Sequence, residues 1–471
     1  MIFNTKNKTS WLIWTGLIIA LIIYLYTLIS GDEDKSLFMP GPLTSGHHQI
    51  GLSCDACHTE SFSDRDSMQD SCIECHGDQR KKPFDFHPKA KFTDPRNADR
   101  LENINALQCI TCHLEHQPSI TKESGITQPM DFCIHCHEDI ANERPSHKGM
   151  EFDSCASAGC HNYHDNRSLY TDYLIKHLDE KANLDKQVLP EKEFLNVIDE
   201  VMTYPHSLYP VKKLGLKDID APAHVLSKTE KADDTIHDDW LTTAHSNSGV
   251  NCSGCHMPVV DGKSTEAWLD KPDHEACASC HDMEVKHFLN GKHGMRQKQG
   301  MSPMTPDSAR LPMKKESLTK ELNCNTCHKA HRYDLKNAVV DVCLECHNDK
   351  HSTSYTSSPH YELWKLEING QAEPGTGVSC ANCHLPRVNY DVSDWLRRIL
   401  VQHNQNANLK PNEKMVRSVC ANCHGLEFTL DSLADKYLIE NNFNKAPNNH
   451  IQTMDMAKKE LLRRNKNRSD P

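Results

Sequence analysis

Every cysteine in this 471-residue sequence sits in a motif of two cysteines followed at once by a histidine. In chain order these are Cys54/Cys57/His58, Cys72/Cys75/His76, Cys109/Cys112/His113, Cys133/Cys136/His137, Cys155/Cys160/His161, Cys252/Cys255/His256, Cys277/Cys280/His281, Cys324/Cys327/His328, Cys343/Cys346/His347, Cys380/Cys383/His384 and Cys420/Cys423/His424. The eleven motifs use all 22 cysteines. Ten have two residues between the cysteines; the stretch "CASAGCHNYH", residues 155–164, has four.

Cysteine pairs in short loops serve zinc, disulfides and covalently attached haem. Neither zinc nor a disulfide needs a histidine after the second cysteine each time. Haem attachment does: two thiols add to the porphyrin vinyl groups, and the adjacent histidine reaches the iron from the proximal side. The expectation is eleven covalently bound c-type haems, with His58, His76, His113, His137, His161, His256, His281, His328, His347, His384 and His424 on their irons.

A sixth ligand must then come from elsewhere. The chain has 31 histidines, so 20 remain after the proximal set, more than eleven irons need. Two placements recur. His47 and His245 stand seven residues before a motif and His147 eight before; His116, His164 and His331 stand three after a proximal histidine. His87, His293, His351, His360 and His403 complete the expected distal set. Bis-histidine ligation suits a low-potential carrier, because a methionine ligand raises the potential.

The rest of the chain must position these groups with little apolar material. Hydrophobic residues make up 37% of the sequence, below the ~45–50% of ordinary globular proteins, so the porphyrins themselves are expected to fill the interior. The expected fold is mainly α with much irregular structure, packed around haem, with one N-terminal transmembrane helix. "WLIWTGLIIALIIYLYTLIS", residues 11–30, is uncharged and bordered by Trp and Tyr, and is read as an uncleaved membrane anchor. Lys6 and Lys8 precede it and "GDEDK" follows, which places the haem domains in the periplasm and the protein in the cytoplasmic membrane.

The motifs form two groups, five up to His161 and six from Cys252. The reading divides the chain into a cytoplasmic N-terminus (1–10), the anchor (11–30), a pentahaem domain (31–165), a helical linker (166–240), a hexahaem domain (241–440) and a basic C-terminal tail (441–471). The formal charge of −12 argues against a nucleic-acid partner. No Walker-type phosphate loop or dinucleotide fingerprint is present.

The first group, from "FMPGPLTSGHHQIGLSCDACH" to "CASAGCHNYH", resembles the small low-potential multihaem cytochromes of anaerobic respiration, where a longer thioether loop also occurs. In the second group, "HSNSGVNCSGCHMP", "FLNGKHG", "GVSCANCHLPR" and "MVRSVCANCHG" are similar to segments of the superfamily containing cytochrome c nitrite reductase, hydroxylamine oxidoreductase and quinol-oxidising cytochromes. Many of those reductases carry a CxxCK motif, and none occurs here. The resemblance implies electron transfer between the quinol pool or a membrane partner and a periplasmic or outer-membrane acceptor, through redox protein partners. The rival is a haem-dependent reductase or oxidase of a small nitrogen or sulfur compound, with Lys292, His293, Arg296 and Tyr390 as the groups to inspect.

Overall fold

Two residues between cysteines is the spacing that brings both thiols to one side of a single helical turn. The computed structural model folds most of the described motifs that way. Cys109–Cys112, Cys252–His256, Cys324–His328 and Cys380–His384 are one-turn helices, Asp341–Cys346 is slightly longer, and Cys54–Ala56 and Cys420–Asn422 are 3₁₀ turns. Two motifs ride on 17-residue helices, Arg65–Lys81 and His274–Asn290. The structure describes residues 5–30, 39–59, 65–81, 94–98, 108–121, 127, 137, 139–143, 171–185, 220–222, 235–257, 259–260, 263–264, 267–393, 396–409 and 414–469.

In the first motif the helical rule needs a correction at Cys57. The 3₁₀ turn ends at Ala56, and Cys57 has left helical geometry (φ −121°, ψ −35°). Cys54 O accepts the N–H of Cys57 at 3.2 Å and that of His58 at 2.8 Å, a single turn with a shared acceptor of the kind found at helix ends.

One-turn helices have no interior, so their ends must be satisfied locally. Asn323 and Ser379 each close a reciprocal capping box, with Thr326 and Asn382 respectively. Thr243, Asp273, Asp349 and Ser358 accept backbone N–H donors at other helix starts. Strand is scarce among the described residues. One short antiparallel pair joins Val259–Val260 to Lys263–Ser264, and a longer hairpin pairs Arg387–Ser393 with Leu396–Val401, Arg387 opposite Val401. The mainly helical expectation with little strand therefore holds.

The described residues fall into two compact units. One comprises Met1–Ser71 and Gln108–Gln128, the other Cys72–Leu107 and Pro129–Pro471. In the larger unit, Leu174, Met415, Val416, Leu426, Leu430, Leu433, Met454 and Ala457 form a buried apolar cluster, with Cys383 and Cys420 packed on it. Met454 and Ala457 belong to the C-terminal helix Thr453–Ser469. That basic stretch is thus helical and buried at its start, and Arg464 reaches Asp172 and Glu460. From the expected linker, Thr171–Lys176 is a helix; residues 186–219 lie outside the described residues.

The expected membrane span finds no support among the described residues. Thr5–Ser30 is one continuous helix, yet among the described residues no helix is long and apolar enough to cross a membrane. Within Thr5–Ser30 every large apolar side chain from Trp11 to Tyr26 is exposed.

Candidate haem sites

In the second group the structure brings each proximal histidine to one histidine from the expected distal set. The pairs are His256 with His331, His281 with His245, His328 with His403, His347 with His293, His384 with His351, and His424 with His360. Ring centroids lie 5.8 Å apart in the closest pair, His351–His384, and 6.4 Å apart in the widest, His293–His347. One such distance is ordinary for packed rings. Six proximal histidines matched one to one with six non-proximal ones is not. Two metal–imidazole bonds of about 2 Å each, together with the rings' own radii, fill a gap of this size, so the residues fit an iron held from both sides.

The local turns explain who meets whom. His331 has left-handed backbone (φ 67°), an uncommon conformation in which His is enriched. It turns away from its own motif's His328 and faces His256. His245, seven residues before Cys252, faces His281 rather than the nearer His256. Both offsets therefore serve a neighbouring site.

Hydrogen bonds to Nδ1 fix ring orientation and leave Nε2 for metal. Leu269 O lies 2.6 Å from Nδ1 of His256, Ala182 O 3.0 Å from that of His424, and Val401 O 3.0 Å from that of His403. Ile439 O takes the same position on His351, and Asp349 stands 3.6 Å from Nδ1 of His347. Trp268 stacks on His256 at 4.5 Å and Phe428 on His424 at 4.9 Å. Burial, followed by the partner imidazole, lowers His293, His360 and His384 to about 4. The imidazoles are thus held neutral, the form that ligates a metal.

The motifs also touch one another in chain order. Cys255 lies beside Cys277 and Cys280. Cys277 hydrogen-bonds Cys324, Cys327 lies beside Cys343 and Cys346, Cys343 hydrogen-bonds Cys380, and Cys383 lies beside Cys420 and Cys423. Burial first, and neighbouring thiols second, push Cys327 up to about 12 and Cys383 up to about 11. Six attachment sites therefore form an unbroken row from Cys252 to His424.

Two segments of the chain, residues 46–138 and 244–348, match the family described as cytochrome c3. Each segment contains four of the motifs. Cytochrome c-552 of Haemophilus influenzae is 24% identical over 187 residues, 31% of this chain and 32% of that protein. Cytochrome c-type protein Cgr1 of Eggerthella lenta is 26% identical over 120 residues, 23% of this chain and 52% of that protein. These matches support a multihaem c-type cytochrome. The chain spans about a third and about half of the length of these two relatives. No solved structure matches.

In the smaller unit, Nδ1 of His47 lies 2.6 Å from Glu115, whose carboxylate also accepts the N–H and hydroxyl of Thr44. Burial opposes ionisation of Glu115, but these bonds hold it down at about 2. Nδ1 of His116 lies 2.8 Å from Gly41 O, and His116, like His331, has left-handed backbone (φ 62°). Both expected ligands thus have oriented rings. In the first motif Cys54 is exposed and Cys57 half-buried. Cys133, Cys136, Cys155, Cys160 and His161, with His87, His147 and His164, lie outside the described residues, and of the fourth motif only His137 is described.

Of the four residues suggested for catalysis, Lys292 and His293 both meet Gln405. His293 faces His347; the Lys292 N–H donates to Gln405, Arg296 Nε to Ser302 O at 3.0 Å, and Tyr390 stacks on His287 at 4.8 Å while accepting from Gln402. Sequence reasoning missed Glu115 and Asp349, the carboxylates that orient His47 and His347. The only signal was their place within two residues of a candidate ligand.

Proposed function

We propose that the cytochrome carries electrons along eleven covalently attached haems, anchored in the cytoplasmic membrane and facing the periplasm. It would link the quinol pool or a membrane partner to a periplasmic or outer-membrane acceptor. The observation that carries the reading is the six-for-six histidine pairing along a continuous row of motifs. Haem, when bound, supplies a one-electron iron couple. The chain's part is to fix spacing and ligand state. Each cysteine pair would hold one haem by thioether bonds and the facing imidazoles would ligate its iron, while hydrogen bonds to Nδ1 keep the rings from turning.

An anchor at the N-terminus is supported by the exposure of Trp11, Leu12, Trp14, Leu17, Ile22 and Tyr26 on one helix, an apolar surface that water disfavours. The alternative, a reductase or oxidase of a small nitrogen or sulfur compound, needs one iron with an open position. Among the described residues, no proximal histidine of the second group lacks a paired imidazole. The test is haem stoichiometry: pyridine haemochrome absorbance per chain, checked by intact mass. Eleven haems are expected; a purified full chain carrying only a few would defeat the proposal.

A further inference from the structure

The second motif departs from the first-group pattern, because Cys72–Leu107 belongs to the same compact unit as the six-site row. Within that unit Lys298 places its ammonium 3.2 Å from Cys75 Sγ. It also donates to Asn290 Oδ1 at 3.0 Å and stands 4.0 Å from Glu74. The Lys298 side chain is 21% exposed, whereas that of Glu74 is 76% exposed. An exposed carboxylate is screened by water and salt and offsets little of a half-buried charge. Asn290, a neutral acceptor, holds the ammonium in place without cancelling it. Lys298 ends the helix Met295–Lys298, which follows His293 directly after Gly294. One short segment therefore carries both a candidate ligand of the ninth motif and a cation set against the second.

We propose that Lys298 is an electrostatic positioning residue for the haem held by Cys72 and Cys75, raising the midpoint potential of that site. The inference rests on the haem reading above. Reduction adds one negative charge to a haem iron, and a fixed cation at close range stabilises the reduced form over the oxidised one. The second site then becomes a place where electrons collect beside the row.

The experiment uses the full haem-loaded chain and the variants Lys298→Met, Lys298→Arg and Glu74→Gln, titrated by optical spectroelectrochemistry. Haem content is measured on each by pyridine haemochrome. In Lys298→Met one haem equivalent moves to lower potential, its reduced-to-oxidised ratio at fixed applied potential falling about tenfold, which is about 59 mV for one electron. Lys298→Arg, which keeps the charge, restores the wild-type curve. Glu74→Gln moves the same component the other way by less, and carries the test if Lys298→Met loses haem. Superimposable curves for Glu74→Gln and any haem-replete Lys298→Met, or a shift shared by all components, would overturn the proposal. A low haem count in the wild-type chain would instead strike the reading beneath it.

Discussion

At the residue scale, the histidines that face one another in the second group were legible as candidates and their pairing was not. Eleven repeats of one motif and a surplus of histidine mark the iron ligands by chemistry alone, and all six second-group distal candidates found a proximal partner. Which imidazole meets which depends on chain reversals that no local spacing encodes, as His331 facing His256 shows. Glu115 and Asp349 were invisible for the same reason, since a carboxylate orienting an imidazole looks like any surface acid until the fold brings them together. The pairing of His328 with His403 predicts that His403→Ala leaves one iron five-coordinate. One haem equivalent of high-spin EPR signal should appear, with the remaining haems unchanged. Loss of several low-spin signals, or of none, would refute that assignment.

At the element scale, the sequence indicates short helices by cap chemistry and thiol spacing. It does not indicate the break at Cys57, nor how the hairpin Arg387–Ser393/Leu396–Val401 delivers His403 against the helix His274–Asn290. Close backbone approach does that second job. A Cβ on Gly291 would meet His403 O at 2.9 Å, Asn404 Cα at 3.3 Å and Gln405 Oε1 at 2.7 Å, and the backbone atoms have no freedom to retreat. Gly291→Ala is therefore expected to cost about 1–3 kcal/mol and to disturb the eighth site first. Thermal unfolding and resonance Raman of the ligation state check both points. The C-terminal helix makes a second prediction. Hydrogen bonds from Arg463 and Arg464 lower Glu460 to about 2. A depressed carboxylate stabilises the fold above its unfolded value of 4.5 and loses that contribution as pH falls toward about 2. Amide exchange of Thr453–Ser469 should quicken across that window in wild type, and Glu460→Gln should flatten the dependence.

At the scale of the whole molecule, composition foretold a thin apolar core, and among the described residues the buried cluster around Leu174, Leu426 and Met454 has eight members. Other buried residues, Trp240, Val340, Val342, Tyr355 and Leu438 among them, lie outside that cluster, while the described motif thiols are half-buried or exposed. Secondary-structure periodicity says little at the motifs, because most of the described ones are single turns too short to show a pattern. The central claim is that every site in the second group is six-coordinate and serves conduction rather than catalysis. Low-temperature EPR of the oxidised chain, followed during titration with nitrite, hydroxylamine and sulfite, tests it most directly. The account predicts low-spin signals from all six second-group haems and no spectral response to any of the three compounds. A high-spin signal from one of those haems that shifts on adding one of them would contradict it and make the protein an enzyme.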